Sequence, residues 1–429
     1  MKFVLLFNIV LLFIGTNTAQ VYLENTGSQY TIDFRNPVFA VNGGIYTGAG
    51  FSSGGGAGQL DSRAWASTGM SDGDLAFGGT QTTGGTDYTR GTVTFSPSGG
   101  GFYAYTGAPA SSGHPIFLIQ PTTSDFTPGT VTLRIWNLSN KTINALEISY
   151  ALYVNNDKGV SSSFNFSYST DNSSYTAVPA LDYTSPQNAD INGLVAVGTK
   201  STIITSLNLI HGNYFYIRWS SDEVSGSGGE HDEFGLDDIK ISVPVTFTNG
   251  SSFNPPAGVP NTANNPIGRF QLTSGVSGTN LTGLTITLPG TRSGVSALYL
   301  YSSGDATFEA GDTYLAAASD GPTATFSSFT SAISTSGTYY FVVAELGPNP
   351  DGNITATIAN NAAITITGAR LSGTLTDVAL SSGATPLPVE LTSFTASSVN
   401  GTVNLNWATA TEVSNYGFEV ERSADKSVW

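Results

Sequence analysis

The stretch "INALEISYALYV", residues 143–154, decides the fold class. Leu146, Ile148, Tyr150, Leu152 and Val154 share one parity, while Glu147, Ser149 and Ala151 take the other. A period of two marks a half-buried β-strand. The pattern recurs in "GTVTLRIWN" (129–137), with Val131, Leu133 and Ile135 on one face and Trp136 opposite. "FNFSYSTDNSSYTAV" (164–178) reads as a hairpin with its turn at 170–174, and "YFYIRWSS" and "LDDIKISV" add two further strands. So many strands with long connections favour a jelly-roll sandwich over a small meander.

Composition agrees with an all-β chain. Of 429 residues, 50 are glycine, aromatics make up 11% and charged residues only 11%. Short apolar runs separated by Gly, Ser, Asn and Thr are the pattern of many short strands. The net charge of −16 argues against a nucleic-acid ligand, which calls for a basic footprint. With no cysteine, disulfides, thiolate metal sites and cysteine nucleophiles are excluded.

The opening "MKFVLLFNIVLLFIGTNTAQ" reads as a signal peptide over 1–19: Lys2, an apolar run of 3–15, then small or polar residues. The run is too short for a membrane span, and no later segment is long enough. The expected product is exported. Residues 20–244 read as one large jelly-roll-like β-sandwich whose Gly-rich region 43–113 forms surface loops or lines a ligand groove. A Pro, Gly and Asn-rich break at 249–266 leads into a second unit over 245–385, read as an immunoglobulin-like sandwich. Residues 386–429 supply three strand patterns, with Trp407 expected to be buried, as in the first half of a fibronectin type III-like domain; a return strand is then missing, so a truncated product or a continuing protein is expected.

This last stretch resembles a segment of exported proteins of Gram-negative bacteria that use type IX secretion. Pro388 to Leu391, Trp407 to Glu412 and Asn415 to Ser423 carry the resemblance. It implies export through the periplasm to the surface or medium by that secretion machinery; in those proteins a sorting domain follows this segment. The first unit, through "GQLDSRAWASTGMSDGDLAFGG", "SFNFSYSTDNSSYTAVPALDY" and "FYIRWSSDEVSGSGGEHDEFGLDDIKI", resembles a secreted β-sandwich module that accompanies extracellular nucleases and surface proteins. More loosely, its early "IDF" and late "LDDI" strands are similar to MAM and carbohydrate-binding jelly rolls. That likeness implies a structural Ca²⁺ shared between Asp33 and Asp238; the MAM cysteines are missing.

The acid-rich stretch "GGEHDEFGLDDIKI" (228–241) is the main chemical candidate. Only His114, His211 and His231 exist, without HExxH or G-x-S-x-G, so zinc hydrolysis and a serine triad lack their signatures. Glu230, Asp232 and Glu233 could serve a glycosidase, which needs only two carboxylates. Calcium uses oxygen ligands, which Asp222, Glu223, Glu230, Asp232, Glu233, Asp237 and Asp238 offer; Asp222, Asp232 and Asp238 together with Asp33 are the expected set. Asp237 and Asp238 point to opposite strand faces, so one must turn inward and find a cation, an arginine such as Arg134 or Arg218, or hydrogen bonds. Asp238 is the expected interior carboxylate. His231 reads as a loop residue, Asp72 and Asp74 as a turn, and Asp305, Glu309 and Asp312 as a hairpin connection. Sugar binding would use Trp65, Tyr103, Tyr105 and Trp136 as stacking platforms, unless they fill the second face of the sandwich.

The chain is therefore expected to be a secreted, non-enzymatic surface or extracellular protein that binds carbohydrate or matrix. The alternative is the non-catalytic front of a larger extracellular hydrolase or nuclease.

Overall fold

The computed structural model describes residues 21–35, 43–110, 114–290, 292–386, 391–399, 402–409, 420 and 423. The signal-peptide reading and most of the tail motif lie outside these residues. The described chain is built from strands, with only two single-turn 3₁₀ segments, Pro179–Leu181 and Asn361–Ala363.

The principal strands of the first sandwich, in chain order, are β1 (Val21–Leu23), β2 (Gln29–Ile32), β3 (Trp65–Thr68), β4 (Gly101–Tyr105), β5 (Ile116–Gln120), β6 (Gly129–Asn137), β7 (Leu146–Asn155), β8 (Val160–Ser169), β9 (Leu194–Ile204), β10 (Tyr214–Gly226) and β11 (Glu233–Ser242). One seven-stranded sheet runs β1-β6-β10-β8 and ends on Thr176–Ala177, with β3 joined to β6. The other runs β9-β7-β11-β5-β4 and ends on Thr92–Val93, with β2 joined to β11.

The two inner faces make the core. Val131, Leu133, Ile135, Phe215, Ile217 and Trp219 of the first sheet meet Phe117, Ile119, Ile148, Tyr150, Leu152 and Phe234 of the second. Rings interlock across the gap: Tyr150 meets Trp219 edge-on at 5.4 Å, and Phe164 stacks on Phe234 at 4.7 Å. Each fully buried side chain of this size contributes about 1.5–3 kcal/mol. The parity read from 143–154 is the parity observed in β7, where each of the five apolar residues is buried.

Parity fails at one place. Along β7 and β11, Ser149 pairs with Lys240 but Ala151 pairs with Asp237, so both Asp238 and Ile239 stand opposite Tyr150. This is a β-bulge, and Asp238 takes a left-handed φ of 48°. The extra residue lets Leu236 and Ile239 both face the core despite their opposite parity.

Residues from Pro244 onward enter a second sandwich. A seven-stranded sheet contains Pro244–Thr248, Thr262–Ser274, Arg292–Ser303 and Thr338–Ile354; a six-stranded sheet is built around Thr279–Thr287. The two sandwiches meet closely. The Asn144 N–H donates to the Gly275 carbonyl (2.6 Å), the Gly275 N–H donates to the Pro244 carbonyl (2.8 Å), and one hydrophobic cluster runs through both units. Leu391–Val399 and Thr402–Thr409 form a separate two-stranded sheet. Trp407, expected to be buried, is 41% exposed there. Among the described residues this ribbon has no second layer to bury a ring against.

Candidate functional site

The outer face of the first sheet carries a row of rings. Tyr22 on β1 pairs with Trp136 on β6, which pairs with Tyr214 on β10. Paired residues of neighbouring strands point to the same side, so the three rings stand abreast. Tyr22 and Trp136 lie 5.8 Å apart between centroids, and Trp136 and Tyr214 lie 5.5 Å apart. All three are half-buried, leaving part of each ring in water. The Trp136 indole N–H donates to the Gly212 carbonyl (2.8 Å), which fixes the ring's rotamer.

The next row holds Arg134 opposite Tyr216. The Arg134 guanidinium sits 4.5 Å from the centre of the Phe77 ring and 4.6 Å from that of Tyr214, and donates to the Arg63 carbonyl. Phe77 meets Tyr216 at 5.8 Å. Further along, Arg218 stacks 3.5 Å from the Tyr175 ring centre and donates to the Thr132 hydroxyl. The alternation that buries Ile135, Phe215 and Ile217 thus sets aromatic and guanidinium groups outward. Such a surface offers flat apolar faces together with fixed donors.

Of the four aromatic residues predicted as platforms, Trp136 alone stands on this face. Trp65 is corrected: it is fully buried against Phe34 and Phe117. It pairs with Leu133, whose side chain belongs to the core, and so must point inward as well. Tyr103 and Tyr105 share a strand face as expected, but are only 5% and 6% exposed. They pack with Ile116, Leu118 and Leu194 on the outer side of the second sheet, their hydroxyls donating to the Gly99 and Ala108 carbonyls. Tyr22, Tyr214 and Phe77 escaped the sequence reading, and Arg134, offered there as the partner of an inward aspartate, stands among these rings instead. Parity could have found Tyr214, since the outer positions of "YFYIRWSS" are Tyr214, Tyr216 and Arg218.

The predicted metal ligands do not converge. Asp222 is exposed on β10 and accepts the Glu223 N–H. Asp232 is fully buried and accepts the Lys158 N–H at 3.0 Å. Asp238 is exposed, which corrects its assignment as the interior carboxylate. The bulge turns it outward, while Asp237 lies half-buried on the outer side of the sheet beside Ala151, its carboxyl pushed up to about 7 by burial and by the neighbouring Asp238 and Asp33 charges. Asp33 is half-buried and follows β2, whose Ile32 pairs with Ile239; the early and late strands therefore do lie side by side. Among the described residues no group of three or more His, Cys, Asp or Glu side chains is placed to hold a metal ion.

The three carboxylates named for a glycosidase take different partners: Glu230 the Lys158 ammonium, Asp232 the Lys158 N–H and Glu233 the Ser96 hydroxyl. Glu230 pairs with Lys158 at 2.9 Å. Asp232 and Glu233 are consecutive where β11 begins. Burial pushes both carboxyls up, to about 6 and about 8. His231 is a buried residue with its Nδ1 3.3 Å from the Thr127 hydroxyl, and burial pushes its pKa down. Asp72 and Asp74 close a loop by accepting the Asp87 and Gly69 N–H groups, and Asp305 and Asp312 do the same in the second sandwich.

No family model matches the sequence, and no curated protein matches it. Among solved structures, the chain is similar to a carbohydrate-binding module in complex with β-1,4-galactotriose, at 14% identity over 34% of this chain and 88% of that one, with a TM-score of 0.21. A carbohydrate-binding module specific for non-crystalline cellulose matches at 11% identity over 33% of this chain and 80% of that one, TM-score 0.21. A tandem module pair from Paenibacillus barcinonensis matches at 10% identity over 63% of this chain and 93% of that one, TM-score 0.21.

Proposed function

We propose that the chain is a non-catalytic carbohydrate-binding module that lays an extended polysaccharide across the outer face of its first sheet. The observation that carries this reading is the abreast row of Tyr22, Trp136 and Tyr214. A pyranose ring has an apolar C–H face and a rim of hydroxyls. A half-exposed aromatic ring buries the first, and the fixed guanidinium groups of Arg134 and Arg218 take hydroxyls at the rim. Clustered exposed aromatics on a soluble domain mark binding surfaces more often than chance patches. An apolar leader and a tail that resembles type IX cargo would place such a module outside the cell, on a surface or on its polymer substrate.

The test is binding of the full chain to a panel of soluble and insoluble polysaccharides, by affinity electrophoresis and calorimetry. Trp136→Ala and Tyr214→Ala should each weaken binding about 10- to 100-fold, the range for a central aromatic anchor. Both should leave thermal unfolding little changed, because the rings are only half-buried. Binding that survives the double variant would sink the assignment to this face.

A further inference from the structure

A cleft of ≈ 510 Å³ opens beside the second sheet, lined by Ser96, Tyr105, Asn155, Asp157, Asp190 and Glu233 among others. Its floor is built by register. Asn155, the last residue of β7, pairs with Glu233, the first of β11, so the two side chains stand next to each other on the outer face of the sheet. Asp157 follows two residues later in the turn to β8.

One hydroxyl holds the two acids. Ser96 Oγ lies 2.8 Å from Asp157 Oδ2 and is also hydrogen-bonded to Glu233 Oε1. A serine hydroxyl has a single hydrogen, so it cannot donate to both carboxylates at once. The other oxygen of each acid, Asp157 Oδ1 and Glu233 Oε2, is buried without a hydrogen-bond partner. The same holds for Asn155 Oδ1. Glu233 is 0% exposed and Asn155 5%. Lys158 is the basic group that answers this charge, and it is shared between Asp157 (3.1 Å) and Glu230 (2.9 Å).

Three buried acceptor oxygens without donors, from an amide and two carboxylates, are costly unless something positive meets them. Every donor atom is a hard oxygen, which disfavours zinc and softer metals. Calcium accepts six to eight oxygens in irregular geometry, with amide and carboxylate ligands mixed and water completing the shell. Magnesium demands a stricter octahedron. We propose that the floor of this cleft is a calcium site formed by Asn155 Oδ1, Asp157 Oδ1 and Glu233 Oε2, with water from the cleft filling the remaining positions. Of its three ligands the sequence had offered Glu233 alone; Asp33, Asp222, Asp232 and Asp238, the set expected from sequence, take no part.

The experiment is calorimetric titration of the full chain, stripped with chelator, with calcium chloride alone, paired with thermal unfolding with and without calcium. Wild type should bind one calcium per chain and unfold at a higher temperature when it is present. Glu233→Gln and Asp157→Asn should each weaken binding tenfold or more, while Asp33→Asn and Asp238→Asn change it less than twofold. Asp157 is partly exposed, so Asp157→Asn decides the matter should Glu233→Gln fail to fold. Absence of binding at about 5 mM calcium, above the weakest range of extracellular modules, overturns the site. So does binding that survives Asp157→Asn, or that disappears in Asp33→Asn or Asp238→Asn.

Discussion

At the scale of the residue, Asp237 shows how burial sets a pH response. Its carboxyl is pushed up to about 7 by burial first, then by the charges of Asp238 and Asp33, against the stabilising Asp238 N–H at 2.8 Å. An unfolded aspartate titrates near about 4. Below that pH both states hold the proton and the group contributes nothing to the balance. Between about 4 and 7 the unfolded chain has lost its proton while the folded chain keeps it, so stability falls as pH rises. Asp237→Asn should therefore raise the unfolding stability at pH 7 and above, by about 2 kcal/mol after discounting for partial exposure. It should also flatten the stability profile between about pH 4 and 7. Urea unfolding of both proteins across that range checks this; a less stable Asp237→Asn at neutral pH would show that the charged form is the one the fold requires.

At the scale of the element, the bulge in β11 decides which side chains reach the core. It exists because one residue, Asp238, adopts φ of 48°, a region that costs an ordinary L-residue about 1–2 kcal/mol and that Asp and Asn tolerate best after glycine. Asp238→Val should thus destabilise the protein by about 1–2 kcal/mol although the side chain is exposed. Asp238→Gly should be neutral or stabilising. Chemical denaturation of the two variants separates this from a loss of charge, which both share. The outer aromatic row is likewise a property of elements: β1, β6 and β10 each carry one ring, and register alone brings the rings together.

At the scale of the whole molecule, the two sandwiches are joined by backbone at Gly275. A β-carbon there would stand 2.9 Å from the Ala145 carbonyl and 3.1 Å from Pro244. With one hydrophobic cluster running through both units, calorimetry should show a single cooperative transition for 21–386. Gly275→Val should cost about 1–3 kcal/mol and split it into two as the sandwiches part; a variant that still unfolds in one step would mean that other contacts, such as Ser372 to Glu147, suffice. The sequence by itself determined the all-β class and the inward residues of β6 and β7, because alternation at period two follows from the pleat and needs no partner. It also marked Trp136 as facing away from the core. Tertiary structure alone decided the rest. Trp65 is core because β3 pairs beside Leu133; Asp238 is kept out of the core because a bulge breaks parity; Asn155, Asp157, Glu233 and Ser96 converge only because the end of β7 lies in register with the start of β11. Pairing between strands distant in sequence leaves no local pattern, so these assignments appear only once the sheets are assembled.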